Sequence, residues 1–75
     1  MKIYGYSKNT NKEPMELSEV TLSAKPDSLR ELSEFLLKCA HEIENNPSDW
    51  EHEHFKSSNN EKSQIIVFND NSEDD

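Results

Sequence analysis

The chain has 75 residues, enough for one domain, and 31% of them are apolar, well below the roughly 45–50% of an average domain, a figure that also counts glycine. Sixteen acidic residues against eight basic give a formal charge of −8, which disfavours nucleic acid and anionic membranes as ligands, because both need a basic patch. A domain this small buries only about 60% of its unfolded surface, so the core must be thin, and an enclosed catalytic pocket of about 300 Å³ or more has little room.

In chain order, "MKIYGY" is predicted as a first strand, with Ile3 on one face and Tyr4 and Tyr6 on the other. Gly5, the only glycine, marks a bulge or a close approach there. The polar residues 7–14, "SKNTNKEP", suit a hairpin loop. In "MELSEVTLSA" the apolar phase breaks: Met15 and Leu17 are odd, Val20, Leu22 and Ala24 even. Strand alternation has period two, so either a bulge sits at Ser18–Glu19 or the strand proper begins near Ser18. The better alternation of Val20 to Ala24 favours the second reading.

Residues 25–47 predict a helix. Pro26 suits its first turn, and Asp27 complements the helix dipole. Ser28 and Glu31 also fit a capping box. Leu29, Leu32, Leu36, Cys39, Ala40 and Ile43 form an apolar stripe, widened by Phe35, while Leu37 falls off it. Arg30, Glu34, Lys38 and Glu42 make an i,i+4 ladder of alternating sign. The helix should end at Asn45-Asn46, since Pro47 disfavours helical geometry before it. Cys39, the only cysteine, excludes an internal disulfide and a cysteine-based zinc site; within the stripe it reads as a small buried hydrophobe.

"DWEHEHF" and "SQIIVF" are the last two strands, joined by the polar "KSSNNEK" of residues 56–62. Residues 1–69 thus make one α+β domain of order ββαββ. Its expected form is a four-stranded antiparallel sheet with one helix on one face. Residues 70–75 are expected to be an acidic, disordered tail. Ile65 and Val67, and Ile66 and Phe68, make the last strand apolar on both faces. One helix covers only one, so a partner or a second copy is expected on the other, and a homodimer is a candidate state.

The alternating "WEHEHF" is the one stretch that resembles chemistry. Successive strand side chains oppose, which puts Trp50, His52 and His54 on one face and Glu51, Glu53 and Phe55 on the other. Two histidines at i and i+2 stand about 6–7 Å apart and can chelate a transition metal only with a third ligand, which the pattern does not supply. His52 and His54 are therefore the weak metal candidates behind an alternative reading as a small metal-binding or metal-sensing protein, and no metal or cofactor is assigned. No nucleophile or oxyanion device accompanies them, so no catalytic residue is assigned either. The favoured reading is a contact surface of Trp50, His52 and His54, joined by Tyr4 or Tyr6 from a neighbouring strand. No apolar run approaches the roughly 20 residues of a membrane span, and no signal peptide is visible, so a cytoplasmic protein is expected.

Taken together, "MKIYGY", "ELSEVTLSAKPDSLRELSEFLLKCAHEIE", "WEHEHF" and "IIVFN" resemble a family of small bacterial immunity proteins, immunity protein 32, over roughly residues 1–69. The resemblance implies an α+β fold, no enzymatic activity, and a protein partner: a toxin, which a −8 chain suits if the toxin domain is basic. It carries no binding residues to transfer. An orphan homodimeric interaction module is the remaining alternative.

Overall fold

In the computed structural model, which describes residues 1–9, 13–58 and 64–70, the first hairpin pairs β1 (Ile3–Gly5) with β2 (Met15–Leu17). The pairing is antiparallel, with Ile3 opposite Leu17, Tyr4 opposite Glu16 and Gly5 opposite Met15. Gly5 is there for space rather than for a bulge. A Cβ at that position would stand 3.0 Å from Leu17 Cδ1, because the leucine side chain lies across it. The preferred sequence reading placed β2 from Ser18 to Ala24, and the structure corrects it. The loop after β1 brings Met15 opposite Gly5, and β1 offers only three residues to pair. Residues 18–25 therefore continue as irregular chain that enters no strand.

Helix α1 (Pro26–Asn45) follows directly. Its N-cap is Lys25, in extended geometry and with no side-chain cap, so Pro26 rather than a Ser28 box sets the start. Asn46 ends it, donating its backbone N–H to the Glu42 carbonyl, at the place that Pro47 predicts. The charge ladder forms no ion pair. Arg30 turns back to Asp27 at 2.9 Å, an exposed contact of small energetic weight, and Glu42 is engaged elsewhere.

The second hairpin pairs β3 (His52–His54) with β4 (Ile66–Phe68), antiparallel, with His52 opposite Phe68, Glu53 opposite Val67 and His54 opposite Ile66. The order is ββαββ as expected, and the class is α+β. The single four-stranded sheet is not formed: the strands make two separate two-stranded sheets, β1-β2 and β3-β4. The reason is the same misplacement of β2. With only Met15–Leu17 engaged, the segment that could have bridged the hairpins pairs with neither.

The helix lies against the second hairpin on the face that bears Phe55, whose ring centroid is 5.2 Å from that of Phe35. Ser57 reaches Glu31 on the same side. Cys39 is the buried apolar side chain of this layer, at 1% exposure. Leu32, Phe35 and Ile43 are half-buried around it. Leu29 and Leu36, stripe residues by spacing, remain 44% and 45% exposed. The covered face is thus rotated toward Glu31, Phe35 and Glu42, and part of the predicted stripe is left partly exposed.

The hairpin is fastened to the helix end by Asn69, which is 2% exposed. Its side-chain amide donates to the carbonyls of Pro47, at 2.9 Å, and Trp50, at 2.8 Å. Its backbone N–H donates to the Glu51 carbonyl, continuing the ladder beyond Phe68. Nothing in the local pattern singles out Asn69, which stands where the domain meets the acidic run. The expected tail beyond it falls, from residue 71 on, outside the described residues.

Candidate functional site: the groove between α1 and β3

The phenyl rings of Phe35 and Phe55 form the floor of an open groove of about 510 Å³ between the helix and β3. Helical spacing brings Glu31, Glu34 and Lys38 to its helix side. Glu53, His54 and Lys56 supply the strand side. The groove is open to solvent rather than the enclosed pocket for which a core this thin has little room, because so thin a layer leaves the helix–strand seam unfilled. An aromatic floor whose walls carry three carboxylates and two lysines is only weakly acidic overall and suits an amphipathic side chain from a partner, with a cation held at the carboxylates.

His52 and His54 alternate with Glu53 along β3; His54 also borders the groove, and His52 does not line it. Their rings are 5.3 Å apart, edge to face, and His52 stacks on Phe68 at 6.1 Å. Ile66 and Phe68 on the same face are 50% and 48% exposed. His52 Nδ1 lies 3.2 Å from Glu51 Oε1, an exposed contact between sequence neighbours. Among the described residues, no three His, Cys, Asp or Glu side chains come together as a metal set. His41 is on the helix, 3.9 Å from Glu44, and does not supply the third ligand.

Trp50 does not share the histidine face, which corrects the strict alternation read from the sequence. It precedes β3 and belongs to the turn that follows the helix, where its backbone N–H donates to the Asn46 carbonyl. Its indole Nε1–H donates to Glu42 Oε1 at 2.8 Å, and the residue is half-buried. Period two applies only within the strand, and β3 begins at His52. Trp50→Phe removes this donor to a charged acceptor while keeping most of the apolar area. A loss of about 1–2 kcal/mol is expected, less than for a fully buried site because the pair is only partly screened from water. Urea titration of both proteins checks it.

Tyr4 and Tyr6 are exposed, 56% and 62%, on the first hairpin. Because β1 pairs only with β2, they are not on a strand beside β3. The structure therefore brings together His52 and His54, and leaves Trp50 and the two tyrosines apart from them. The groove carboxylates were missed, since Glu31 reads as half of a capping box, Glu34 as part of the wet-face ladder and Glu53 as one of an alternating strand pair.

Burial pushes the Cys39 thiol up from its ordinary value, and the Glu42 carboxylate adds to this; Lys38 acts oppositely, and Glu53 raises it further. The folded state then holds the thiol proton more tightly than the unfolded chain. Stability is full below about pH 8.5 and declines as pH rises past it, because only the unfolded chain ionises there freely. The difference in melting temperature between wild type and Cys39→Ala should therefore shift against wild type between pH 7.5 and 9.5. A thiol reagent at neutral pH should modify Cys39 roughly tenfold or more slowly in the native state than in urea.

These features define a small acidic α+β module whose groove and uncovered strand face are suited to contact with another macromolecule. Among the described residues no helix is long and apolar enough to cross a membrane. The chain belongs to the immunity protein 32 family, whose model matches residues 19–71. The match takes in the helix and the second hairpin and leaves out the first hairpin, so it begins later than the resemblance read from residue 1. No curated protein and no solved structure matches the chain.

Proposed function

We propose that this protein is a non-enzymatic immunity protein that neutralises a cognate bacterial toxin in the cytoplasm by binding it directly. Membership of the immunity protein 32 family carries this reading. The charge of −8 and the carboxylates of the groove support a basic toxin domain as the partner, since complementary potential raises the rate of encounter and disfavours wrong partners. If the toxin domain is a nuclease, the same carboxylates would occupy the place of phosphates in its cleft. His54, at the border of the groove, and His52 beside it extend the contact surface; Tyr4 and Tyr6 are exposed enough to join it from the first hairpin, and Trp50 acts mainly by holding the turn.

Co-expression tests the proposal. Cells carrying the toxin gene encoded beside this one should survive when this protein is expressed and die without it, and the two proteins should co-purify. Death of the cells despite soluble expression of this protein overturns it.

A further inference from the structure

Two parts of the chain offer strand-forming backbone that enters no pairing among the described residues. The first is residues 18–24. Val20, Leu22 and Ala24 alternate with Thr21 and Ser23, which is the pattern of a half-buried strand. Yet among the described residues this segment enters no strand pairing, and both Val20 and Leu22 are 52% exposed. The family match begins at residue 19, so this segment, and not the first hairpin, belongs to the shared part of the chain.

The second is the outer edge of β4. Phe55 N–H donates to the Ile65 carbonyl, and Asn69 N–H to the Glu51 carbonyl. Hydrogen-bonded and non-bonded pairs alternate along an antiparallel ladder, so the backbone groups of Ile66 and Phe68 point away from β3. Exposed edges are ordinarily protected by lysine, proline or other charge. From Ile65 to Asn69 there is none, whereas β3 carries Glu53, is preceded by Glu51 and is followed by Lys56. Ile66 and Phe68 also hold their side chains half exposed.

We infer that the Val20–Ala24 segment of one copy adds as a strand to the β4 edge of a second copy, and that the exchange is reciprocal. The chain supplies both halves of the contact, and within a single copy they do not meet. A two-fold exchange pairs the β4 edge and one edge of the Val20–Ala24 segment in both copies at once, and it closes on two chains. It sets Val20 and Leu22 beside Ile66 and Phe68, so that these side chains shield one another laterally on the face that the helix does not reach. Neither strand is charged between Val20 and Ala24 or between Ile65 and Asn69, so the local contact escapes the repulsion of two acidic chains. The groove between α1 and β3 stays open on the other side of the hairpin.

Size-exclusion chromatography with light scattering on the full chain tests this, with hydrogen exchange on the same samples. Wild type should run at twice the 8.7 kDa of one chain at about 100 μM. Leu22→Asp and Phe68→Asp should each run at the monomer mass with unchanged helical circular dichroism. The amides of Val20 to Ala24 should exchange at least roughly tenfold more slowly in the dimer than after dilution to monomer. A wild-type monomer at this concentration overturns the proposal. So does a dimer that survives both substitutions, or one whose Val20–Ala24 amides exchange at the monomer rate.

Discussion

Asn69→Asp should destabilise the protein more than any other conservative change. The wild-type side chain is almost fully excluded from water and donates two hydrogen bonds, to the carbonyls of Pro47 and Trp50. A carboxylate is nearly the same shape but has no donor, so it would face two acceptor oxygens. The change removes both bonds, leaves two carbonyls poorly satisfied and takes a charge out of water, together about 3–5 kcal/mol. A chain of this length has about 4–11 kcal/mol in all, so the variant should be largely unfolded or marginal at neutral pH. Asn69→Ala, which removes the bonds without adding a charge, should cost about 2 kcal/mol. The two differ in pH dependence. Burial holds the new carboxyl's folded pKa above its unfolded value of about 3.9, so the Asp variant regains stability as pH falls through the folded pKa, when the acid can donate one bond. The Ala variant lacks that response. Thermal melts of the three proteins from pH 7 to pH 4 check it; equal losses for Asp and Ala at pH 7, without acid recovery, would show that Asn69 is not the fastening described.

That residue also shows what could not be seen in the sequence. Helix α1 was legible because its evidence is local: Pro26 at its start, Pro47 beyond its end, and apolar residues at helical spacing between them. The two hairpins were legible because their polar connectors are short. Asn69 has no such signal. It lies at the edge of an acidic run, and its partners, Pro47 and Trp50, are 22 and 19 residues away. Similarly, periodicity located the apolar stripe but not its rotation about the helix axis, which depends on where Phe55 and Trp50 meet it. The Trp50 error has a related cause. Alternation holds only while the ladder continues, and nothing in "DWEHEHF" marks where pairing begins. The phase break at Ser18–Glu19 was visible, but which half would pair was not, because that is decided by the length of the preceding loop and of β1.

Neutralising three groove carboxylates should weaken toxin binding more than neutralising three carboxylates elsewhere. Glu31, Glu34 and Glu53 line the walls above Phe35 and Phe55, where a cationic side chain from the partner would be partly withdrawn from water. Charges so placed act at close range and in reduced dielectric, while distant surface charges act mainly through the long-range field and are screened within about 8 Å at physiological salt. Replacing all three by Gln takes the net charge from −8 to −5, by −8 + 3 = −5. Replacing Glu13, Glu16 and Glu19, all exposed, by Gln makes the same change in net charge on the first hairpin and the segment after it. Both triple variants should associate more slowly with the toxin at low salt, and by similar factors, because steering senses the whole field. Only the groove variant should also dissociate faster, lowering affinity about tenfold to a hundredfold, and that part of the loss should persist in 0.5 M salt. Surface plasmon resonance at two ionic strengths separates the rates. If both variants lose affinity equally and salt abolishes the difference from wild type, acidity acts only as a diffuse field and the toxin docks elsewhere. A faster dissociation confined to the groove variant places the contact at the seam between α1 and β3, which is also the surface that a strand-exchanged dimer leaves free.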